Sequence, residues 1–255
     1  MNYRIDITYD GSHYNGWQRL GKSSGAITIQ GTIEDALTEI FGREIQIHGS
    51  GRTDAGVHAL GQVASFHAGV TDKSGKIEPD EIQHRLNAIL PGDIRITGCF
   101  IADEGFHARK SAVSKEYVYR LHTGERRVFN RKYTAWHKGR VDVELMEKYS
   151  RKFIGTHDFR NFSSVKDADA DTVRTIYSIE INASEDGYGG QDIEITYCGN
   201  GFLYNMVRIL TGTLVEIGEN NKKILENFDG ENGVNTAISG KMMPPEGLFL
   251  KKVSY

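Results

Sequence analysis

The first residues of the chain alternate apolar and polar side chains, with Tyr3, Ile5, Ile7 and Tyr9 on one side of a period of two and Arg4, Asp6 and Thr8 on the other. That pattern predicts a strand with one buried face, and Asp10-Gly11 closes it with a turn. The period then changes. Over residues 30–41, Ile33, Leu37 and Ile40 recur at helical spacing, with Thr32 as the expected N-cap and Asp35 placed to reach back to it. A second helix is predicted over residues 79–90. It opens on Pro79, carries Asp80 and Glu81 where they complement the positive end of the helix dipole, presents Ile82, Leu86 and Ile89 on one face, and stops at Pro91-Gly92. Short strands are expected at 45–48 and 63–67, and longer ones at 93–101 and 115–121. The later part repeats the rhythm, with a helix at 144–153 and strands at 173–183 and 192–199. Residues 202–218 then read as a buried helix through Leu203, Met206, Val207, Leu210, Leu214 and Ile217, and a closing strand follows at 248–253. The expected fold is therefore α+β, in two similar halves (1–105 and 106–255), each a mainly antiparallel sheet with helices on one side.

Composition narrows the class. A chain of 255 residues that is 38% hydrophobic can bury one large core or two of ordinary size, and 29 Gly against 4 Pro suits many turns. The N-terminus is patterned as a strand and not as a signal peptide, and no apolar run is long enough to span a membrane. Cys99 and Cys198 form no CxxC pair, so neither a disulfide framework nor a thiolate zinc site is expected, and a reducing cytoplasm is the natural setting. A net charge of −3 argues against a nucleic-acid partner, but the distribution does not: residues 106–140 carry 10 Lys or Arg and 2 acids, leaving 21 basic against 32 acidic residues elsewhere. Interleaved with Tyr117, Tyr119, Phe129, Tyr133 and Trp136, this block could meet phosphates and stack on bases, or could be a solvated surface over core aromatics.

The densest chemistry is the run GRTDAGVHA at residues 51–59, which places a cation, a hydroxyl, a carboxylate and a His among Gly51, Gly56 and Gly61. Glycines permit positive φ and close approach of a ligand, so the run suits a loop presenting Asp54 into a cleft. Residue types alone select no reaction. No metal is expected, because His48, His58, His67, His84 and His107 lack HxxxH or HExxH spacing, and no GxxxxGK[ST] loop is present for phosphates.

Extended to GRTDAGVHALGQV, the string resembles the TruA family of tRNA pseudouridine synthases. The resemblance continues in YDGSHYNGWQ, TIQGTIEDAL, FHARKSAVSKEYVY, the RTI at Arg174, GNGFLYNMVRILTGTLVEIG and PPEGLFL, in order along nearly the whole chain. It implies isomerisation of uridine to pseudouridine in the tRNA anticodon stem-loop, with no cofactor and no essential metal, in an RNA-binding cleft central to the two halves of a homodimeric enzyme. The family's nucleophile falls on Asp54, its cationic partner on Arg208, its active-site phenol on Tyr117 and the apolar wall of its uracil pocket on Leu248. Arg52 is placed to help expel the target base, and His58 is expected to be structural or RNA-facing. Two other classes compete with this reading: a catalytically silent tRNA-binding protein or RNA chaperone on the same scaffold, and a glycosidase, which would need a second carboxylate that the loop lacks. The chain departs from the family after GWQ, where Arg19-Leu20 and the stretch GKSSGA lengthen the connection to the first helix.

Overall fold

The computed structural model describes residues 1–21, 25–69, 71–72, 75–228, 234 and 238–255, so the middle of the GKSSGA stretch, residues 22–24, lies outside the described residues. In chain order the elements are β1 (Asn2–Tyr9), α1 (Ile29–Phe41), β2 (His48–Gly49), β3 (His58–His67), β4 (Thr71–Asp72), β5 (Gly75–Lys76), α2 (Pro79–Ile89), β6 (Ile94–Ala102), β7 (Ser114–Thr123), β8 (Ala135–His137), α3 (Val143–Ser150), β9 (Gly155–Asp158), β10 (Val173–Glu185), β11 (Gln191–Gly199), α4 (Met206–Gly218), α5 (Lys222–Phe228) and β12 (Leu248–Ser254). They divide into a first unit, residues 1–113 with 249–255, and a second, residues 114–248.

In the first unit β6, β1 and β3 run antiparallel, β12 joins β3 in parallel through Phe249↔His58 and Leu250↔Ala59, and β2 lies antiparallel to β3. The alternation of β1 is realised: Tyr3, Ile5, Ile7 and Tyr9 are buried, and Tyr3 stacks on Phe66 at 5.2 Å. Burying each such side chain stabilises the unit by about 1.5–3 kcal/mol, and a one-residue slip would put Arg4 and Asp6 in their place, so the register is strongly set. Both helices bury their apolar stripes, through Ile33, Leu37 and Phe41 of α1 and Ile82 and Leu86 of α2. The cap of α1 is not Thr32. Thr28 has the extended backbone of a cap and accepts from the Gly31 amide at 3.2 Å, while the Thr32 hydroxyl donates to the Thr28 carbonyl. The strands around the glycine-rich run also differ from expectation. Ile45 and Ile47 are buried but outside a strand, and β3 begins at His58, five residues early.

In the second unit β7, β11, β10 and β9 form an antiparallel series with β8 parallel to β7. Paired Tyr117↔Tyr197, Tyr119↔Ile195 and Leu121↔Ile193 share one face. Helix α4 packs there, its Thr211 hydroxyl 2.9 Å from that of Tyr197. All positions of α4 except Glu216 are buried, as in a helix enclosed on every side. It starts at Met206 and not at Phe202, because Asn205 takes a left-handed φ of 62° that the α-helix cannot absorb. Each unit thus pairs a mainly antiparallel sheet with helices, the α+β arrangement of two similar halves that the pattern predicts. Among the described residues no helix is long and apolar enough to cross a membrane.

Candidate active site

Asp54 lies half-buried on the segment that joins β2 to β3 in the first unit. Its carbonyl accepts from the Val57 amide at 3.1 Å, closing a tight turn whose third residue, Gly56, has φ 78°, a conformation open to Gly and costly for other residues. The segment is fastened on both sides of the carboxylate. Before it, the Thr53 hydroxyl meets the Tyr9 phenol at 2.7 Å inside the core, and the Thr53 carbonyl accepts from the Trp17 amide at 2.9 Å. Gly16, at φ 86°, lies so close that a Cβ there would come within 2.7 Å of the Thr53 carbonyl oxygen. At the start of the run, the fully buried Gln62 amide donates to Gly51 and accepts from the Ser50 hydroxyl at 2.6 Å. Burial pushes the Tyr9 phenol up to about 12, against the opposing pull of its bonds to Thr53 and Gln62. This anchoring gives the short Asp54 side chain a stiff base from which to aim.

Arg52 is exposed, two residues from Asp54. His58 is 1% exposed: it stacks on Phe249 at 4.7 Å, and its Nδ1 lies 3.1 Å from both the Gly11 amide nitrogen and an Asp10 carboxylate oxygen. Of the two roles expected for His58, the structure selects the structural one, since a side chain this deep cannot face RNA.

The second unit carries Tyr117, Arg208 and Leu248, and Arg208 is tied to the connection that leads into β12. Arg208 is 8% exposed on the first turn of α4; its Nε donates to the Met243 carbonyl at 2.7 Å and its Nη1 to the Asn205 amide oxygen at 3.1 Å. These neutral oxygens aim the guanidinium. One residue on, the Pro244 carbonyl accepts from the Tyr119 phenol at 2.7 Å, and Leu248, buried, follows the single 3-10 turn Pro245–Gly247. Tyr117 precedes Tyr119 on the same face of β7 and packs edge-on against Phe202 at 5.2 Å. Sequence reasoning missed the supports of the site. Tyr9, Gln62, Asn205 and Met243 carry no chemistry of their own, and Gln62 lay just before the expected strand, so nothing in the pattern marked its part.

The basic block of residues 106–140 is less free than its composition suggests. Arg120 pairs with Glu194, Arg127 with Asp186 and Asp192, and Arg140 with Glu185, all within the second unit. Arg126 lies over the Trp136 ring at 5.5 Å and, with Phe129, lines a groove of about 520 Å³ to which none of the five candidate site residues contributes.

The family described as tRNA pseudouridine synthase matches residues 7–109 and 150–255. Among curated proteins, the chain is 44% identical to tRNA pseudouridine synthase A of Bacillus sp. (strain KSM-64), over 100% of this chain and 99% of that one. It is 41% identical to the protein of the same name from Geobacillus sp. (strain WCH70), again over 100% and 99%. Similarity extends to tRNA pseudouridine synthase A 2 of Bacillus anthracis, 40% identical over 85% of this chain and 84% of that one.

Proposed function

The chain belongs to the tRNA pseudouridine synthase family, and from that premise we propose that it converts uridines of the tRNA anticodon stem-loop to pseudouridine with Asp54 as nucleophile. The reaction is an isomerisation: the bond from C1′ to N1 breaks, one from C1′ to C5 forms, and a proton leaves C5 while N1 regains one, so neither oxidant nor second substrate is consumed. Asp54 suits the first step because it is a carboxylate on a stiff, glycine-flanked loop, able to attack the sugar carbon or the base. The observation that carries this reading is the fastening of that loop through Tyr9, Trp17 and Gln62 on either side of the carboxylate.

The remaining roles are those the family resemblance implies, and each suits the chemistry of its side chain. Arg208 is the counter-ion that keeps Asp54 ionised in a partly dry pocket, where a bidentate guanidinium is the strongest partner a carboxylate can have. Tyr117 stacks on the released uracil and exchanges the proton at C5. Leu248 forms the apolar wall behind the base. Arg52, exposed beside Asp54, enters the stack as the target base leaves it. The working form is a homodimer in the cytoplasm, and an equilibrium sedimentation run should give twice the monomer mass.

The deciding test is Asp54→Ala assayed on transcript tRNA by carbodiimide primer extension. The variant should bind tRNA and leave no pseudouridine stop, and retained modification would overturn the assignment. A companion measurement addresses the ion pair: Arg208→Lys should lower kcat by about 100-fold or more, because an ammonium cannot reproduce two parallel hydrogen bonds.

A further inference from the structure

In the first unit, away from the Asp54 loop, His107 and His48 stack with ring centroids 5.0 Å apart and planes 23° from parallel. The segment carrying His107 is held rigidly. His107 and Ser111 exchange hydrogen bonds at 3.1 and 2.9 Å, the Ala108 amide donates to the Ser65 hydroxyl at 3.1 Å, and the Asn2 side chain donates to the Phe106 carbonyl at 2.8 Å. The ring itself is oriented by backbone: the amides of Arg109 and Lys110 both donate to its Nδ1, at 3.1 and 3.4 Å. With Nδ1 accepting, the neutral ring carries its proton on Nε2, on the opposite edge.

The surroundings are cationic. Arg109, Lys110 and His48 are exposed, and each of them disfavours a charge on the His107 ring. Their presence, after the larger effect of burial, holds His107 below the ordinary histidine range and favours its neutral form. A rigid N–H donor flanked by two flexible cations is complementary to an anion with several acceptor oxygens.

We propose that His107 Nε2–H, Arg109 and Lys110 form a seat for one backbone phosphate of the substrate RNA, with His48 as the face on which the His107 ring is stacked. This rests on the reading of the protein as a tRNA enzyme. The seat belongs to the same unit as the catalytic loop: β2 carries His48 directly into Ser50, and the Tyr255 phenol donates to the Ala108 carbonyl at 2.8 Å. Six residues separate His48 from Asp54, a reach of at most about 20 Å. A phosphate held here therefore anchors the substrate RNA on the same unit that carries Asp54.

The test uses the full chain and transcript tRNA. Arg109→Gln with Lys110→Gln should weaken tRNA binding by about 5- to 10-fold, reduce the slope of log Kd against log salt by about 1, and leave kcat at saturating tRNA unchanged. His107→Asn keeps an acceptor for the two amides while losing the Nε2 donor; it should raise Kd by about 3-fold with the wild-type salt slope. Ethylation interference on tRNA should show a phosphate whose modification weakens binding of the wild type and not of the double variant. Wild-type Kd and salt slope in these variants, an unchanged interference pattern, or a fall in kcat with Kd intact would each overturn the seat. Binding is read here without chemistry, so failure of the seat is distinct from pseudouridine formation by Asp54→Ala, which overturns the catalytic reading instead.

Discussion

At the scale of single residues, the loop is governed by a few buried polar groups. Tyr9→Phe leaves the Thr53 hydroxyl without its 2.7 Å partner in the core, which should cost about 1–3 kcal/mol and, by loosening the residue before Asp54, lower kcat as well. Denaturant titration and single-turnover assays would separate the two effects. The pH dependence has a definite sign. Tyr9 is held up at about 12 in the folded chain against 10.0 for an exposed phenol, so its contribution to stability is complete below pH 10 and is lost as pH rises towards 12. Tyr14, Tyr119, Tyr197 and Tyr255 are raised too, so Tyr9→Phe should make the alkaline loss of stability shallower without abolishing it. At this scale the sequence names chemistry well and support poorly. GRTDAGVHA is conspicuous because its side chains are reactive, whereas the role of Tyr9 exists only through a partner 44 residues away. Arg19, the departure after GWQ, is a residue of the same kind: its guanidinium binds Glu34, Asp35 and the Gly31 carbonyl, clamping the first turns of α1.

At the scale of elements, periodicity succeeds where burial follows hydrophobicity and fails where it does not. β1, α2, β10 and β11 lie within two residues of where alternation and capping chemistry put them. β3 starts five residues early because His58 and Gln62 are polar yet buried, each held by hydrogen bonds that no apolar count detects. At α1 the expected cap, Thr32, lies inside the helix, and Thr28, with its extended backbone, caps it instead. Helix α4 offers a test of how an element positions a side chain. A Cβ on Gly212 would collide with the Lys241 carbonyl, two residues before the Met243 carbonyl that orients Arg208. Gly212→Ala should therefore destabilise the chain by about 1–3 kcal/mol, visible as a lower Tm, and should lower kcat more than tRNA affinity.

For the whole molecule, charge is the property in which total and distribution diverge. A protein of net charge −3 should still bind tRNA with strong salt dependence, because the phosphate contacts see local cations and not the sum. If about five phosphates are neutralised, affinity should fall roughly 100-fold between about 50 and 200 mM salt, a loss that filter binding would register and a salt-independent Kd would refute. The fold class was legible in one sequence because alternation and helical period are local along the chain, and the reaction class and Asp54 as the residue to test were legible through the family resemblance that the unbroken string GRTDAGVHALGQV carries. Tertiary structure decided the rest. It tied Thr53 to Tyr9 and Gly51 to Gln62, spent Arg120, Arg127 and Arg140 of the basic block on neighbouring acids, and stacked His48 on His107. Those pairings join residues far apart in sequence, and their energies depend on distance and burial that no linear pattern encodes.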